Sequence, residues 1–378
     1  MSQHQLKIAL VHEWVAARAG SEKVFEQLAA ALPSADLFTL SAAPGVELNV
    51  GKRSIQTSFL DNPYLRDRRG LTLPIMPLSW AALGVEKYDV VVTSHHAFAH
   101  SNRLVRNTGL HLAYVHSPAR YVWTPEVDGR GSHPLLAPAR AAMRRYDKRV
   151  SQRITTYAAN SSVVAARIRQ FWERDSRVIF PPVDTDFFET RTNAGYVDEP
   201  YLLGVGRFVT YERMDLVIKA AEVAGVKGVI AGSGPDERRL RQMAAEASVP
   251  IEVLVSPTDI GLRELMQRAT ALIFPTEEDF GIVPVEAQAA GTPVIAPAYG
   301  GALDTVIHGK TGFHVPDLEP QTLARAAHAA QDLDSEACRT HARQFSIRAF
   351  HARVEDWFGE FGLHSAGASG RWPRHHVA

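Results

Sequence analysis

The sequence predicts an α/β protein built from two doubly wound domains. A chain of 378 residues is long for one hydrophobic core, so two domains are expected. Its short apolar runs show little polar alternation, which is typical of parallel strands buried on both faces. These runs alternate with segments of helical spacing, and the alternation restarts near residue 200.

The first half begins with a short apolar strand and continues as strands and helices in turn. Apolar residues at 24, 25, 28, 29 and 32 predict a helix over 21–32. A second helix is expected over 138–154, where Pro138 lies near its start. Strands are predicted at 6–12, 35–40, 88–94, 110–116 and 155–161.

The second half follows a Pro-rich stretch, 181–184, and an irregular polar segment, 189–199. Strands are predicted at 201–207, 227–233, 251–255, 270–275 and 292–297, with helices at 215–225, 236–248, 261–269 and 283–291. We therefore divide the chain into domains 1–183 and 184–346, a helix near 347–362 that packs back onto the first domain, and a frayed tail, 363–378. Ligands of such folds bind beyond the carboxyl ends of the strands, so two facing domains predict a site in the cleft between them.

Bulk composition excludes several kinds of protein. Lys plus Arg and Asp plus Glu number 41 each, which indicates no nucleic-acid partner. The only cysteine, Cys338, excludes an intramolecular disulfide and fits a reducing compartment. The first residues lack the apolar stretch of a signal peptide, and no run of 18 apolar residues occurs. We expect a cytoplasmic protein.

Two carboxylates frame an unusual loop in the second half. Glu278 follows an apolar strand, where ligands of α/β folds bind, and Glu286 lies in the first turns of the next helix. A carboxylate accepts two hydrogen bonds and fits vicinal hydroxyls such as those of a ribose. Gly281 between them would let the backbone approach a ligand closely. The alternative is an ordinary strand–loop–helix joint with solvated acids.

The segment EEDFGIVPVEAQAAGTPVIA (277–296) resembles the E-x-F-G-x-x-x-x-E-A-x-A-x-G-x-P-V-I-A signature of the family 4 retaining glycosyltransferases. Weaker resemblances occur in the family's order at 201–220, 229–240 and 300–315, and together they span about residues 6–362. The resemblance implies the GT-B fold, two Rossmann-like domains facing across a cleft, and a nucleotide-sugar donor. GRFVTYERMDL and YVHSPARYVW look closest to a mannosyltransferase-like branch.

The resemblance also assigns roles to residues. Glu278 would contact hydroxyls of the donor sugar, Glu286 the ribose, and Arg207 the diphosphate, whose oxygens a guanidinium fits bidentately. The donor-facing backbone N–H groups would be those of Phe280, Gly281, Ile282 and Val283. Catalysis would consist mainly of stabilising the charge that develops on the leaving diphosphate.

One position departs from the family pattern. A lysine usually follows the arginine by five positions, but this chain has Glu212 there. A carboxylate about 4 Å from a phosphate would cost on the order of 4 kcal/mol at an effective dielectric near 20. Either Glu212 points away from the diphosphate, or Arg213 takes the place of the lysine there, or the protein binds its donor poorly. The last case keeps open a catalytically degenerate GT-B protein that acts only as a binding partner.

The first domain offers two candidates. Gly20, in RAGSEKV, would let a donor phosphate or the acceptor approach the backbone. The alternative is that this segment is a plain turn, or a helix start that Ser21 caps. His116 ends a strand, and by resemblance it would contact the donor sugar and join Glu278 and Arg207 as a catalytic residue. His95 and His96 have poor metal spacing, and we expect neither a metal nor another cofactor.

The predicted helix 138–154 carries a basic face. Arg140, Arg144 and Lys148 share it at i, i+4 spacing, and only Asp147 opposes their charge. One interpretation is that this face is exposed to solvent. The other is that it contacts an anionic membrane surface, to which the cations in 64–70 would add positive charge. Membrane contact would suit a lipid-linked saccharide acceptor in polysaccharide assembly at the inner face of the membrane. The expected reaction is transfer of a hexose from a nucleotide sugar onto a glycan or lipid-linked saccharide. The first donor expected is GDP-mannose, so the first hexose expected is mannose.

Overall fold

The computed structural model describes residues 6–66, 72, 75–83, 87–125, 137–190 and 199–363. The chain divides into two compact units, one formed by residues 1–181 and 350–378 and the other by 182–349. Leu363, predicted to belong to a frayed tail, is instead 1% exposed in the core of the first unit. The rest of that predicted tail, 364–378, lies outside the described residues, as does 67–70 of the basic segment 64–70.

The first unit contains a seven-stranded sheet in the order β3-β2-β1-β4-β5-β6-β7, and all of its paired strands are parallel. Its strands are β1 Ile8–His12, β2 Asp36–Thr39, β3 Ile55–Thr57, β4 Tyr88–His95, β5 Val105–Val115, β6 Thr156–Ala159 and β7 Arg177–Val178. The described helices of the unit are α1 Gly20–Ala31, α2 Pro63–Arg66, α3 Met76–Ala82, α4 Arg120–Trp123, α5 Ala137–Ser151 and α6 Ser162–Trp172.

Burial on both faces explains the apolar strands of this sheet. Ile8 and Leu10 of β1 point into one core, which also takes in α1, whereas Ala9 and Val11 point into another core on the opposite face. The C-terminal helix α15, Ile347–Gly359, adds Trp357 and other apolar side chains to the first of these cores. Apolar residues at successive positions of a strand are therefore all used.

The second unit contains a six-stranded parallel sheet in the order β10-β9-β8-β11-β12-β13. Its strands are β8 Tyr201–Arg207, β9 Lys227–Ser233, β10 Ile251–Val255, β11 Ala271–Ile273, β12 Val294–Pro297 and β13 Gly312–Val315. Its helices are α7 Thr185–Glu189, α8 Met214–Ala224, α9 Glu237–Glu246, α10 Asp259–Arg268, α11 Ile282–Ala290, α12 Ala302–Thr305, α13 Pro320–Ala329 and α14 Ser335–Ala342.

The predicted fold class of two doubly wound α/β sheets is confirmed. The strands that the sequence analysis did not predict, β3, β7 and β13, are 3, 2 and 4 residues long and lie at sheet edges. Such short runs carry too little periodicity to stand out from loops. Among the described residues, no helix has the length and apolarity needed to cross a membrane.

Candidate functional site

The second sheet reverses its strand order between β8 and β11. Ligands of doubly wound sheets bind beyond the carboxyl ends of the strands at such a switch point. Arg207 is the last residue of β8, and the loop that contains Glu278 follows β11. The topology therefore places two of the predicted donor residues at the position where this fold binds ligands.

The loop after β11 is held by close backbone contacts. The N–H of Gly301 donates to the carbonyl of Glu278 at 2.8 Å. A Cβ on Gly301 would lie 2.4 Å from the Cα of Phe280, so only glycine allows this approach. The Phe280 ring is 4% exposed and packs edge-on against Phe345 at 5.6 Å between centroids. The ring of Phe280 is therefore packed inside the second unit and is not available to a ligand.

Helix α11 starts directly after this loop with an N-terminus that its cap residue leaves open. Gly281 is the cap, with φ 86°, and it has no side chain with which to bond the first N–H groups. Ile282 and Val283 form the first turn and are half-buried, and Glu286 lies one turn further on at 7% exposure. An open helix N-terminus of this kind favours an anion such as a diphosphate.

Glu212 does not point away from Arg207. Its carboxylate accepts a hydrogen bond from the Arg207 backbone N–H at 2.6 Å and another from Arg207 Nε at 2.7 Å. The Glu212 side chain is 6% exposed, whereas that of Arg207 is 65% exposed. The acid is thus buried beneath the cation, and the guanidinium stays accessible to solvent.

The surroundings keep Arg207 charged. Burial alone would lower the pKa of its guanidinium, but the carboxylates of Glu212 and Glu278 help to raise it above its usual value. The guanidinium carbon also lies 5.5 Å from the ring centre of Tyr211, in cation–π range. Arg207, Glu212 and Glu278 therefore form one electrostatic group.

Arg213, the predicted substitute for the family lysine, is paired elsewhere. Its Nε donates to Asp215 at 3.2 Å and its Nη2 donates to the other oxygen of the same carboxylate at 3.4 Å. Asp215 is in turn 4.0 Å from Arg239. A role for Arg213 at the diphosphate would require it to share or leave this carboxylate.

The first sheet has its own switch point, between β1 and β4, and histidines gather there. His12 ends β1, and its Nδ1 lies 2.9 Å from Ser94 Oγ on β4. The same hydroxyl lies 2.8 Å from Nε2 of His116, the residue after β5. Since Ser94 has one proton, it donates to one imidazole and accepts from the other. The two tautomers are therefore coupled.

Gly20 is the first residue of α1, and the N-cap is Ala19, so the interpretation of Ser21 as the cap is wrong. Ser21 Oγ instead donates to Glu22 at 2.8 Å. Glu22 is 4% exposed, and its carboxylate lies 4.0 Å from His12 Nε2. Burial opposes the ionised form of Glu22, but His12 and Ser21 outweigh it and lower the pKa of that carboxyl.

His95 belongs to a separate, fully buried network. Its Nδ1 lies 3.0 Å from that of His100, and His100 Nε2 lies 3.2 Å from Asp147. Burial, with repulsion from neighbouring histidines, lowers the pKa of His95 well below its usual value. The described residues form no cluster of three or more side chains suited to a metal ion.

Two cations of the predicted basic face of α5 bind other parts of the same chain. Arg144 Nε donates to the carbonyl of Val122 at 2.8 Å, and Lys148 lies 2.6 Å from Glu173. Asp147 is 0% exposed, so its interpretation as a surface counter-charge is wrong. The exposed cations of α5 that remain are Arg145 and Arg149.

A groove of about 650 Å³ in the second unit is not the predicted site. It is lined by Tyr201 and Lys227, which begin β8 and β9, and by Glu252 of β10. None of the predicted donor residues lines it. The starts of parallel strands are the edge opposite to the one that binds ligands in this fold.

His12, Ser94 and Glu22 were missed in the sequence. Each is an ordinary residue type at a strand end or helix start, and only the sheet order brings β1 and β4 side by side. A histidine at the end of the first strand was the one available signal.

Two family models match consecutive parts of the chain. "Glycosyltransferase Family 4" matches residues 18–187, and "Glycosyl transferases group 1" matches residues 186–345. Together they cover both units and include Gly20, His116, Arg207 and the loop with Glu278.

Curated relatives agree with this match. The D-inositol 3-phosphate glycosyltransferase of Mycobacteroides abscessus is 34% identical over 165 residues, which is 39% of this chain and 37% of the relative. Across such relatives the chain spans between 33% and 56% of their length.

Solved structures share the fold. Anabaena HepE in complex with UDP superimposes with a TM-score of 0.67 at 17% identity, covering 94% of this chain and 100% of HepE. The sucrose-phosphate synthase of Thermosynechococcus elongatus superimposes with a TM-score of 0.69 at 22% identity, covering 94% of this chain and 99% of the synthase. The two matching family models and this shared fold lead to one conclusion: the chain belongs to family 4 of the GT-B glycosyltransferases.

Proposed function

We propose that the protein is a retaining glycosyltransferase that moves a hexose from a nucleoside-diphosphate sugar to a glycan or lipid-linked saccharide. The observation that carries this proposal is the position of Arg207. Its guanidinium is exposed at the carboxyl end of β8, and β8 pairs with β11, the strand that precedes the open N-terminus of α11. A cation and a helix N-terminus together suit the diphosphate of such a donor.

The same groups suit the chemical step. When the bond between sugar and diphosphate breaks, negative charge grows on the leaving phosphate oxygen. Arg207 and the N–H groups at the start of α11 would stabilise that charge without moving. In a retaining reaction, the acceptor oxygen attacks the face of the sugar that the leaving group departs from.

The acids take the parts of the donor that carry hydroxyls. We assign Glu278 to hydroxyls of the donor sugar, as the family resemblance implies, and its influence on the pKa of Arg207 supports a place near the diphosphate. Glu286 lies deeper, one turn into α11, and we assign it to the ribose. In the first unit, His116 and Gly20 are the candidates for contacts with the donor sugar and with phosphate or acceptor.

GDP-mannose is the first donor to test, because of the resemblance to the mannosyltransferase-like branch. UDP-glucose is the necessary comparison, since HepE has been solved with UDP and with UDP-glucose. D-inositol 3-phosphate, named for the curated relatives, belongs among the acceptors tested. We further propose activity without a bound metal, so that EDTA leaves the rate unchanged, and a cytoplasmic enzyme that contacts an anionic membrane through Arg145 and Arg149.

The test compares donor binding by the wild type and by three matched variants. A donor at 100 times its Kd should add about 2.7 kcal/mol of stability in a thermal-shift assay. Glu286→Ala should weaken nucleotide binding by about 1.5–3 kcal/mol, the value of a hydrogen bond to a charged group. Glu278→Ala should lower turnover more than nucleotide affinity, because it is assigned to the sugar. Glu277→Ala, the exposed neighbour, is the control and should change neither quantity.

Unchanged nucleotide affinity in a folded Glu286→Ala protein would contradict the ribose assignment. If the wild type binds no GDP, UDP or ADP sugar at all, the proposal fails and the degenerate, binding-only alternative replaces it. Tight donor binding without transfer to any acceptor would also favour that alternative.

A further inference from the structure

Glu212 stands where the family pattern has a lysine, and its contacts show a different use of the position. The 3₁₀ turn Thr210–Glu212 returns the chain beneath Arg207, and the buried carboxylate holds that residue at two points, its backbone N–H and its Nε. The Glu212 carbonyl also accepts a hydrogen bond from Thr276 Oγ1 at 3.2 Å. The Arg207 turn is thus tied to the loop that carries Glu278.

The strand provides the space that this arrangement needs. A Cβ on Gly206 would lie 2.3 Å from Glu212 Oε2, the oxygen bonded to the Arg207 backbone. An alanine at 206 would therefore push the carboxylate away from that backbone group. Gly206 and Glu212 together allow an acid to lie under the end of β8.

The contact leaves one edge of the guanidinium available. Nε is bound to Glu212, while neither Nη nitrogen of Arg207 donates a hydrogen bond to any residue in the described ranges. Two Nη groups can bind two phosphate oxygens, and fixing Nε removes most of the side chain's rotational freedom before the ligand arrives. A lysine would add charge at this place but could not orient its neighbour in this way.

We propose that Glu212 is a positioning residue, which holds Arg207 by its backbone and Nε so that the two Nη groups face the diphosphate of the donor. This inference rests on the proposed function for its ligand. It replaces the view of Glu212 as a charge that opposes the donor: one oriented guanidinium does the work that the family gives to an arginine and a lysine.

The first experiment needs no ligand. The Nε–H signal of Arg207 in the ¹H–¹⁵N NMR spectrum, assigned by its loss in Arg207→Lys, should exchange slowly with water in the wild type. Glu212→Gln and Gly206→Ala should both speed its exchange. Gly206→Ala keeps both charges and so separates orientation from charge. An Arg207 signal that exchanges as fast as those of fully exposed arginines in the wild type would overturn the proposal.

The second experiment measures binding of GDP and UDP against GMP and UMP by calorimetry. Glu212→Gln, Glu212→Lys and Gly206→Ala should weaken nucleoside-diphosphate binding about tenfold, equivalent to about 1.4 kcal/mol. Monophosphate binding should change much less, which a general loss of folding could not produce. In an Arg207→Ala background, Glu212→Gln should cause no further loss, because the effect passes through Arg207.

The outcomes separate the two proposals. Tighter diphosphate binding by Glu212→Lys would show that the acid only opposes the donor and would overturn the inference alone. No diphosphate binding by the wild type would overturn the proposed function and the ligand part of the inference, even if the NMR result stands. Equal losses for mono- and diphosphates would overturn the inference while leaving donor binding intact.

Discussion

Asp147 offers the sharpest test of how the first unit is held together. Its carboxylate is 0% exposed and accepts hydrogen bonds from two indole N–H groups, those of Trp123 and Trp172, at 2.7 Å each. His100 Nε2 lies 3.2 Å from its other oxygen. The acid therefore joins α5 to α4 and α6 and to the turn after β4. We predict that Asp147→Ala strongly destabilises this unit.

The size of the effect follows from the groups that lose their acceptor. Trp172 is 0% exposed, so its N–H would be left buried without a partner, at a cost of about 2–3 kcal/mol. Trp123 is half-buried and can reach water, so about 1 kcal/mol is expected there. The sum is about 3–4 kcal/mol, which is large for a single substitution.

Asp147→Asn is the matched control. Both indole groups bond to the same carboxylate oxygen, Oδ2, and an amide oxygen in that place can accept both. The indole hydrogen bonds remain and the charge is lost, so about 1–2 kcal/mol is expected. The free energy of unfolding of both variants can be measured by urea unfolding followed by tryptophan fluorescence. The signal reports on this region because two indoles donate hydrogen bonds to Asp147.

A free-energy loss below about 1 kcal/mol for Asp147→Ala would refute the reasoning, because buried N–H groups cannot lose their acceptor at so small a cost. Equal losses for the alanine and asparagine variants would refute it as well. That result would mean that charge, and not the two hydrogen bonds, makes the contribution.

Two further predictions concern protonation and surface charge. Burial, with a smaller repulsion from His100, lowers the pKa of His111 from 6.5 to about 3. The unfolded chain therefore binds this proton first, so stability should fall as the pH drops from 6.5 toward 3, by up to about 1.4 kcal/mol per pH unit. His111→Gln should flatten that part of a pH series of urea unfolding curves, and an unchanged slope would contradict the assignment. Changing Arg145 and Arg149 to Glu should reduce sedimentation of the protein with anionic vesicles, and added salt should do the same. Arg144→Ala is the comparison, because it should lower the stability of the protein and leave vesicle binding unchanged. A wild type that does not sediment with such vesicles would contradict the membrane proposal.

Strands and helices in the second unit were largely readable from the sequence. Apolar runs such as those within 201–207 and 270–275 form strands because both faces of a parallel sheet are covered. The loop with Glu278 was located by its position after such a strand and by its resemblance to the family signature. Gly281 was expected to matter for the backbone, and it takes a φ of 86° at the start of α11.

The contacts between distant residues were not readable. Asp147 looked like a surface charge within a basic helix, since the predicted helix 138–154 holds six arginines and lysines. Its partners, Trp123 and Trp172, lie 24 and 25 positions away. Helical periodicity shows which residues share a face, but it does not show which face packs inward when charged residues surround the whole helix.

Residue types and their order along the chain determined which groups are available near the site: a cation ending β8, two acids around β11 and α11, and a histidine after β5. Tertiary structure decided how they are used. From the sequence, Glu212 could oppose the donor or leave the site, because spacing reports only that it follows Arg207 by five positions. The turn that brings its carboxylate under the strand end, into space left by Gly206, makes it a partner of the cation. Such a choice depends on distances between side chains that only the folded backbone sets.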